Sequence, residues 1–209
     1  MKRAATDPVV KARMRGLPRQ ARRDNRIQQP HMALNSTIFR CALQVSDLDR
    51  GQYQTHNLTL ARHPSETDER MMVRLLAFAL NADEHLRFTR GLSQDDEPDL
   101  WQHSLNGNIT LWVETGQPDE KRIRKGCARS ERVIVYCFQH RSASVWWKQI
   151  SAKLERFAHL SVFKLPEGTS EQLASLAQRN MDLQCTVQEG EIWLSDDNTS
   201  IQFTLEQLR

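Results

Sequence analysis

From Met32 onward the apolar positions of this chain fall into clear periods, and those periods predict the elements. Residues 36–46 (STIFRCALQVS) and 53–62 (YQTHNLTLAR) alternate as strands do, with Asp49-Arg50-Gly51 as the turn of an N-terminal hairpin. His63-Pro64-Ser65 breaks the alternation. Ser65 suits an N-cap, Asp68 follows three places on, and Met72, Leu75, Leu76, Ala79 and Leu80 recur at helical spacing to about Ala82. A short strand at 86–90, a second at 99–104 and a third at 109–115 come next. In the third, Ile109, Leu111 and Val113 face one way, and Thr110, Trp112 and Glu114 the other.

Pro118 suits the first helical position, and the charge order of 118–129 complements a helix dipole: Asp119 and Glu120 first, then Arg122, Arg124, Lys125 and Arg129. Residues 132–138 (RVIVYCF) form the continuous apolar run of a strand buried on both faces. A helix over 143–157, a strand at 160–165, a helix over 169–179 and a hairpin of 182–194 with 199–205, turning at Glu189-Gly190, complete the chain. The pattern predicts an α/β (α+β) domain over 32–209: a mixed sheet with flanking helices and an N-terminal β-hairpin.

Composition adds a division that the periods miss. Residues 1–31 carry nine Lys/Arg against two acids, whereas the rest of the chain carries 20 against 24. This basic leader has no aromatic residue and few large aliphatics, so the expectation is disorder. A nucleic-acid-binding arm, a transit-like extension, or upstream sequence ahead of a true start at Met32 are the three readings of it. The four cysteines are scattered without a CxxC, which argues against a zinc site or disulfide framework and for a reducing cytoplasm. No apolar run approaches membrane-spanning length, so no membrane partner is expected.

The informative stretch is 95–125, where Pro98-Asp99 and a strand-end Glu114 precede a charged helix. Its element order, α-β-β-β-α-β from Ser65, resembles the common core of the PD-(D/E)xK nuclease superfamily. The strings HPSETDERMMVRLLAFALNA, DEPDLW, GQPDEKRIRK and VWWKQI resemble the YaeQ family of small bacterial proteins, from about Met32 to Val162. The leader lies outside that pattern.

The superfamily resemblance implies a restriction-endonuclease-like fold and a Mg²⁺-dependent nuclease or phosphodiesterase acting on DNA or RNA. Asp99 and Glu114 would hold the metal, with Glu69 assisting from the first helix and Glu66, one turn earlier, as the second choice. The residue two after Glu114 is Gly116 where the superfamily has Lys. Gln117, or Lys121 reaching back from the next helix, would then position the attacking water. Arg122, Arg124 and Lys125 would bind flanking phosphates. The missing lysine also motivates the alternative: a catalytically inactive nuclease-fold module that binds nucleic acid or a transcription-related protein. Trp146-Trp147 are expected to diverge, one packing and one at an edge.

Overall fold

The computed structural model describes residues 36–89 and 96–209, apart from the side chain of His140. The leader therefore lies outside the described residues, as do residues 90–95 of the loop before Pro98. The described residues are mixed α+β, with two sheets and two pairs of helices in alternating layers.

The first sheet has the order β10-β9-β8-β1-β2. Its N-terminal hairpin, β1 (Thr37–Asp47) and β2 (Gln52–Arg62), pairs antiparallel without a register break. The hairpin joins the C-terminal strands: β1 runs parallel to β8 (Asn180–Gln188), which is followed by β9 (Glu191–Ser195) and β10 (Ser200–Thr204). Glu189 and Gly190 both take positive φ in the tight β8–β9 turn, as such hairpins require.

The second sheet has the order β11-β7-β6-β5-β4-β3. β3 (Leu86–Phe88), β4 (Leu100–His103) and β5 (Ile109–Thr115) run antiparallel; β5, β6 (Ser130–Cys137) and β7 (Leu160–Lys164) run parallel. The short β11 (Glu206–Gln207) closes the far edge.

Helix α1 (Asp68–Leu80) is buried at every residue from Met71 to Ala79, because with α4 (Thr169–Ser175) it lies between the two sheets. Every residue of that stretch but Arg74 is apolar, so the helix is stable only between layers. Helices α2 (Glu120–Arg129) and α3 (His140–Leu154) cover the opposite face of the second sheet. Strand β6 serves both cores, with Ile134 and Tyr136 on the α1 side and Val133, Val135 and Cys137 on the α2–α3 side. The continuous apolar run in the sequence had that cause. Among the described residues no helix is long and apolar enough to cross a membrane.

Several boundaries differ from the sequence expectation. Helix α1 is capped by Thr67, whose side chain accepts from Arg70 N at 3.2 Å. Ser65 instead bonds the His63 ring, and Glu66 is held in a turn by its own N–H to His63 O, 2.8 Å. Helix α2 is capped by Asp119, accepting from Arg122 N at 2.7 Å, so Pro118 precedes the helix. Both half-buried tryptophans of α3 pack against the core on the α2–α3 side of the second sheet, Trp146 also donating to Pro118 O at 2.8 Å. Helix α4 stops at Ser175, four residues early.

Candidate functional site

Asp99 enters the site because β4 and β5 pair antiparallel. Leu100 is matched with Val113, so Asp99 and Glu114 stand one step beyond that pair at the same strand ends. Both carboxylates are buried, at 0% and 1% exposure. Two carboxylates this close and this dry need compensation, and it comes from opposite faces of the second sheet.

On the α1 side, Arg70 donates to Asp99 Oδ1 at 2.7 Å, and Thr115 donates to Oδ2 from its backbone N (2.7 Å) and hydroxyl (2.8 Å). Arg70 also donates to Glu66 Oε1 at 3.0 Å. Glu66 is gripped by the buried Arg74, from Nε at 2.7 Å and Nη2 at 2.8 Å. Arg74 uses Nη2 again for Ala61 O of β2, 3.2 Å, tying α1 to the first sheet.

On the α2 side, Arg122 donates to Glu114 Oε2 at 2.8 Å, and the Trp112 indole donates to Oε1 at 2.8 Å. Arg122 reaches on to Glu97 O, 2.6 Å. Burial, together with the neighbouring Asp99 charge, pushes the Glu114 carboxyl up to about 7, against the opposing pull of Arg122 and Trp112. Glu66, Asp99, Arg70 and Arg74 thus form one network on the α1 side, and Glu114 with Arg122 forms a pair on the α2 side.

The remaining sequence-predicted residues are placed elsewhere. Glu69 is half-buried and accepts from Ser170 Oγ of α4, 3.1 Å. Gly116 takes φ +90°, a conformation that side chains rarely adopt, and this explains why no lysine occupies the position. The chain then turns, and Gln117 donates to Phe138 O and to Ser142 Oγ rather than to either carboxylate. Lys121 is exposed on the first turn of α2, beside Asp119, Glu120 and Arg124. Arg124 pairs with Glu120 at 3.1 Å, and Lys125 pairs with Asp96.

This arrangement does not fit the Mg²⁺ that the resemblance implies. Arginines already neutralise the two carboxylates, Glu69 is turned to Ser170, and no group of three His, Cys, Asp or Glu converges among the described residues. Sequence reasoning had Glu66 only as its second choice of helix acid and missed Arg70, Arg74 and Trp112. Their signal was faint: Glu66, Arg70 and Arg74 repeat at four-residue spacing, the spacing of ion pairs along a helix.

The fold and site define a class: a mixed α+β protein whose two stacked sheets are pinned at one end by buried acid–arginine pairs. The family model described as YaeQ protein matches residues 32–205, and the chain belongs to that family. It is 49% identical to YaeQ of Salmonella typhi over 178 residues, covering 84% of this chain and 98% of that protein. YaeQ of Escherichia coli (strain K12) is 48% identical over 174 residues, covering 83% and 96%. The crystal structure of YaeQ from Xanthomonas axonopodis pv. citri superposes with a TM-score of 0.81 at 46% identity, covering 83% of this chain and 98% of that one. The structure from Pseudomonas syringae gives 0.80 at 37%, covering 83% and 96%.

Proposed function

We propose that this chain is a PD-(D/E)xK-like nuclease-fold module that binds nucleic acid through its α2–α3 layer and has lost the metal chemistry of that fold. The observation that carries the reading is charge segregation. Residues 118–159 hold ten Lys/Arg against four Asp/Glu, whereas the other described residues hold nine against 19.

Within that layer the exposed cations converge. Glu120 accepts from both Arg124 (3.1 Å) and Lys153 of α3 (3.0 Å), with Lys121 alongside, so one carboxylate serves several positive charges. Such a surface attracts a phosphate backbone by displacing its counterions. Arg122, by contrast, is committed to buried Glu114, while Lys125 pairs with the exposed Asp96. Arg122 therefore anchors the layer, and the exposed Lys121, Arg124 and Lys153 make the phosphate contacts.

Fluorescence anisotropy with single- and double-stranded DNA and with RNA tests this, read across a salt series. The triple variant Lys121→Ala, Arg124→Ala, Lys153→Ala is expected to lower affinity for every sequence and to reduce the salt slope by roughly three, about one per phosphate contact. Binding unchanged by the triple substitution would sink the proposal. Adding Mg²⁺ or Mn²⁺ is expected to produce no cleavage. Cleavage lost in Asp99→Ala would instead restore the hydrolytic reading.

A further inference from the structure

One face of the second sheet is covered over only part of its width. The core under α2 and α3 takes side chains from β5, β6 and β7 and none from β3 or β4 among the described residues. The cross-strand register shows what stands on the remainder. Arg87 of β3 is matched with Trp101 of β4, and Trp101 with Trp112 of β5, whose ring lies in that core. Directly opposed residues of an antiparallel pair share a face, so Arg87 and Trp101 lie beside the α2–α3 core, on its uncovered side. Trp112, Trp146 and Trp147 all pack there. Trp101 belongs to neither core, and its ring meets His103 edge to face, with centroids 4.7 Å apart.

Cations border Trp101 on both sides. Arg87 is exposed, and its guanidinium donates to the backbone carbonyls of Glu84 and Leu86. Arg129, exposed at the end of α2, donates to Asp96 O at 3.1 Å and lies over the Trp112 ring, 5.5 Å from its centroid. A guanidinium has five N–H donors, so both arginines keep donors for a further acceptor. Of the neighbouring acids, the Asp96 carboxylate pairs with Lys125, and Asp83 and Glu84 flank His85 ahead of β3. Glu131 lies on β6, two strands beyond β4. A half-buried aromatic ring between two arginines on a sheet surface matches one ligand chemistry, a base with a phosphate on either side.

We propose that the uncovered face of β3–β4 is a stacking platform for single-stranded nucleic acid, with Trp101 carrying an unpaired base and Arg87 and Arg129 holding the flanking phosphates. A duplex hides its base faces inside the stack, so this surface selects single strands or unpaired loops. The inference rests on nucleic-acid binding by the α2–α3 layer and names its ligand class. Helix α2 joins the two surfaces, since it carries both Arg129 beside the platform and Arg124 among the outer cations. Stacking adds affinity that depends on the bases, whereas the outer cations act on backbone charge alone.

Fluorescence anisotropy of the full chain at one salt concentration tests this with three probes of equal length. These are oligo(dT), its duplex with oligo(dA), and an abasic single strand, which keeps the phosphates and lacks the bases. The wild type is expected to bind oligo(dT) more tightly than the abasic strand. Trp101→Ala should weaken oligo(dT) binding roughly 5- to 150-fold and leave binding of the abasic strand and the duplex unchanged. Trp101→Phe, which keeps a ring, should recover most of that loss. Arg87→Ala with Arg129→Ala should weaken both single strands alike. Equal wild-type affinity for oligo(dT) and the abasic strand overturns the proposal, as does oligo(dT) binding unchanged in Trp101→Ala. If the triple variant Lys121→Ala, Arg124→Ala, Lys153→Ala still weakens binding in either case, the outer-layer reading stands without the platform. No binding to any probe removes both. Should Trp101→Ala fail to fold, Trp101→Leu, with apolar bulk and no ring, takes its place.

Discussion

The same residue types behave oppositely in two regions of this protein. At the strand ends, Glu66, Asp99 and Glu114 are buried and each is held by arginine with fixed geometry. On the α2–α3 layer, Glu120 pairs with Arg124 and Lys153, side chains that are 49% and 62% exposed. The difference is the solvent. A buried pair contributes little net energy, yet losing one partner strands an uncompensated charge. An exposed pair is screened by water, and its cations stay available for another anion.

Arg74→Met breaks this comparison most sharply, because Arg74 grips both oxygens of Glu66 and is 2% exposed. It is expected to cost about 3–5 kcal/mol in urea unfolding, whereas a loss below 1 kcal/mol would mean that the site relaxes as a surface does.

Glu114 comes next. Its folded carboxyl titrates near 7 against an ordinary 4.5, so the native state holds a proton that the unfolded chain has released. Stability should therefore fall as pH rises from about 4.5 to about 7 and stay lower above, by about 3 kcal/mol from this group. Glu114→Gln should abolish that fall in denaturation curves taken across the window, while Gln retains an acceptor for Trp112. A slope that persists in the variant would assign it to another group.

The smallest effect is expected at Lys153→Ala, which should change stability by less than about 1 kcal/mol and still weaken nucleic-acid affinity measurably. A large unfolding cost there would show that the outer layer is structural in the manner of the strand ends.

Much of the fold was legible because periodicity reports burial directly. The alternation of Ile109–Thr115 marked both its extent and its two faces, and the run at 132–138 marked a strand between two cores. The helix start was misplaced because Ser65 and Thr67 are equally good caps by type. The buried Glu66, fixed by Arg74 and Arg70, decides between them by holding the preceding turn. The site was half legible. Asp99 and Glu114 stand at adjacent strand ends as their spacing suggested, but they are held from opposite faces of the sheet, and Gln117 turns to Phe138 and Ser142 because Gly116 bends the chain away.

By itself the sequence determined the kind and order of the elements, the two-sided burial of β6 and the strand-end position of Asp99 and Glu114, since each follows from local spacing and side-chain type. Only the tertiary structure decided what compensates those carboxylates. Arg70 lies 29 residues from Asp99 in the chain, on a different element. Such a pairing depends on how α1 packs between two sheets, and no local period records it. The same holds for the hairpin, whose alternation fixed its strands while the parallel contact of β1 with β8 set β2 at one end of the sheet among the described residues.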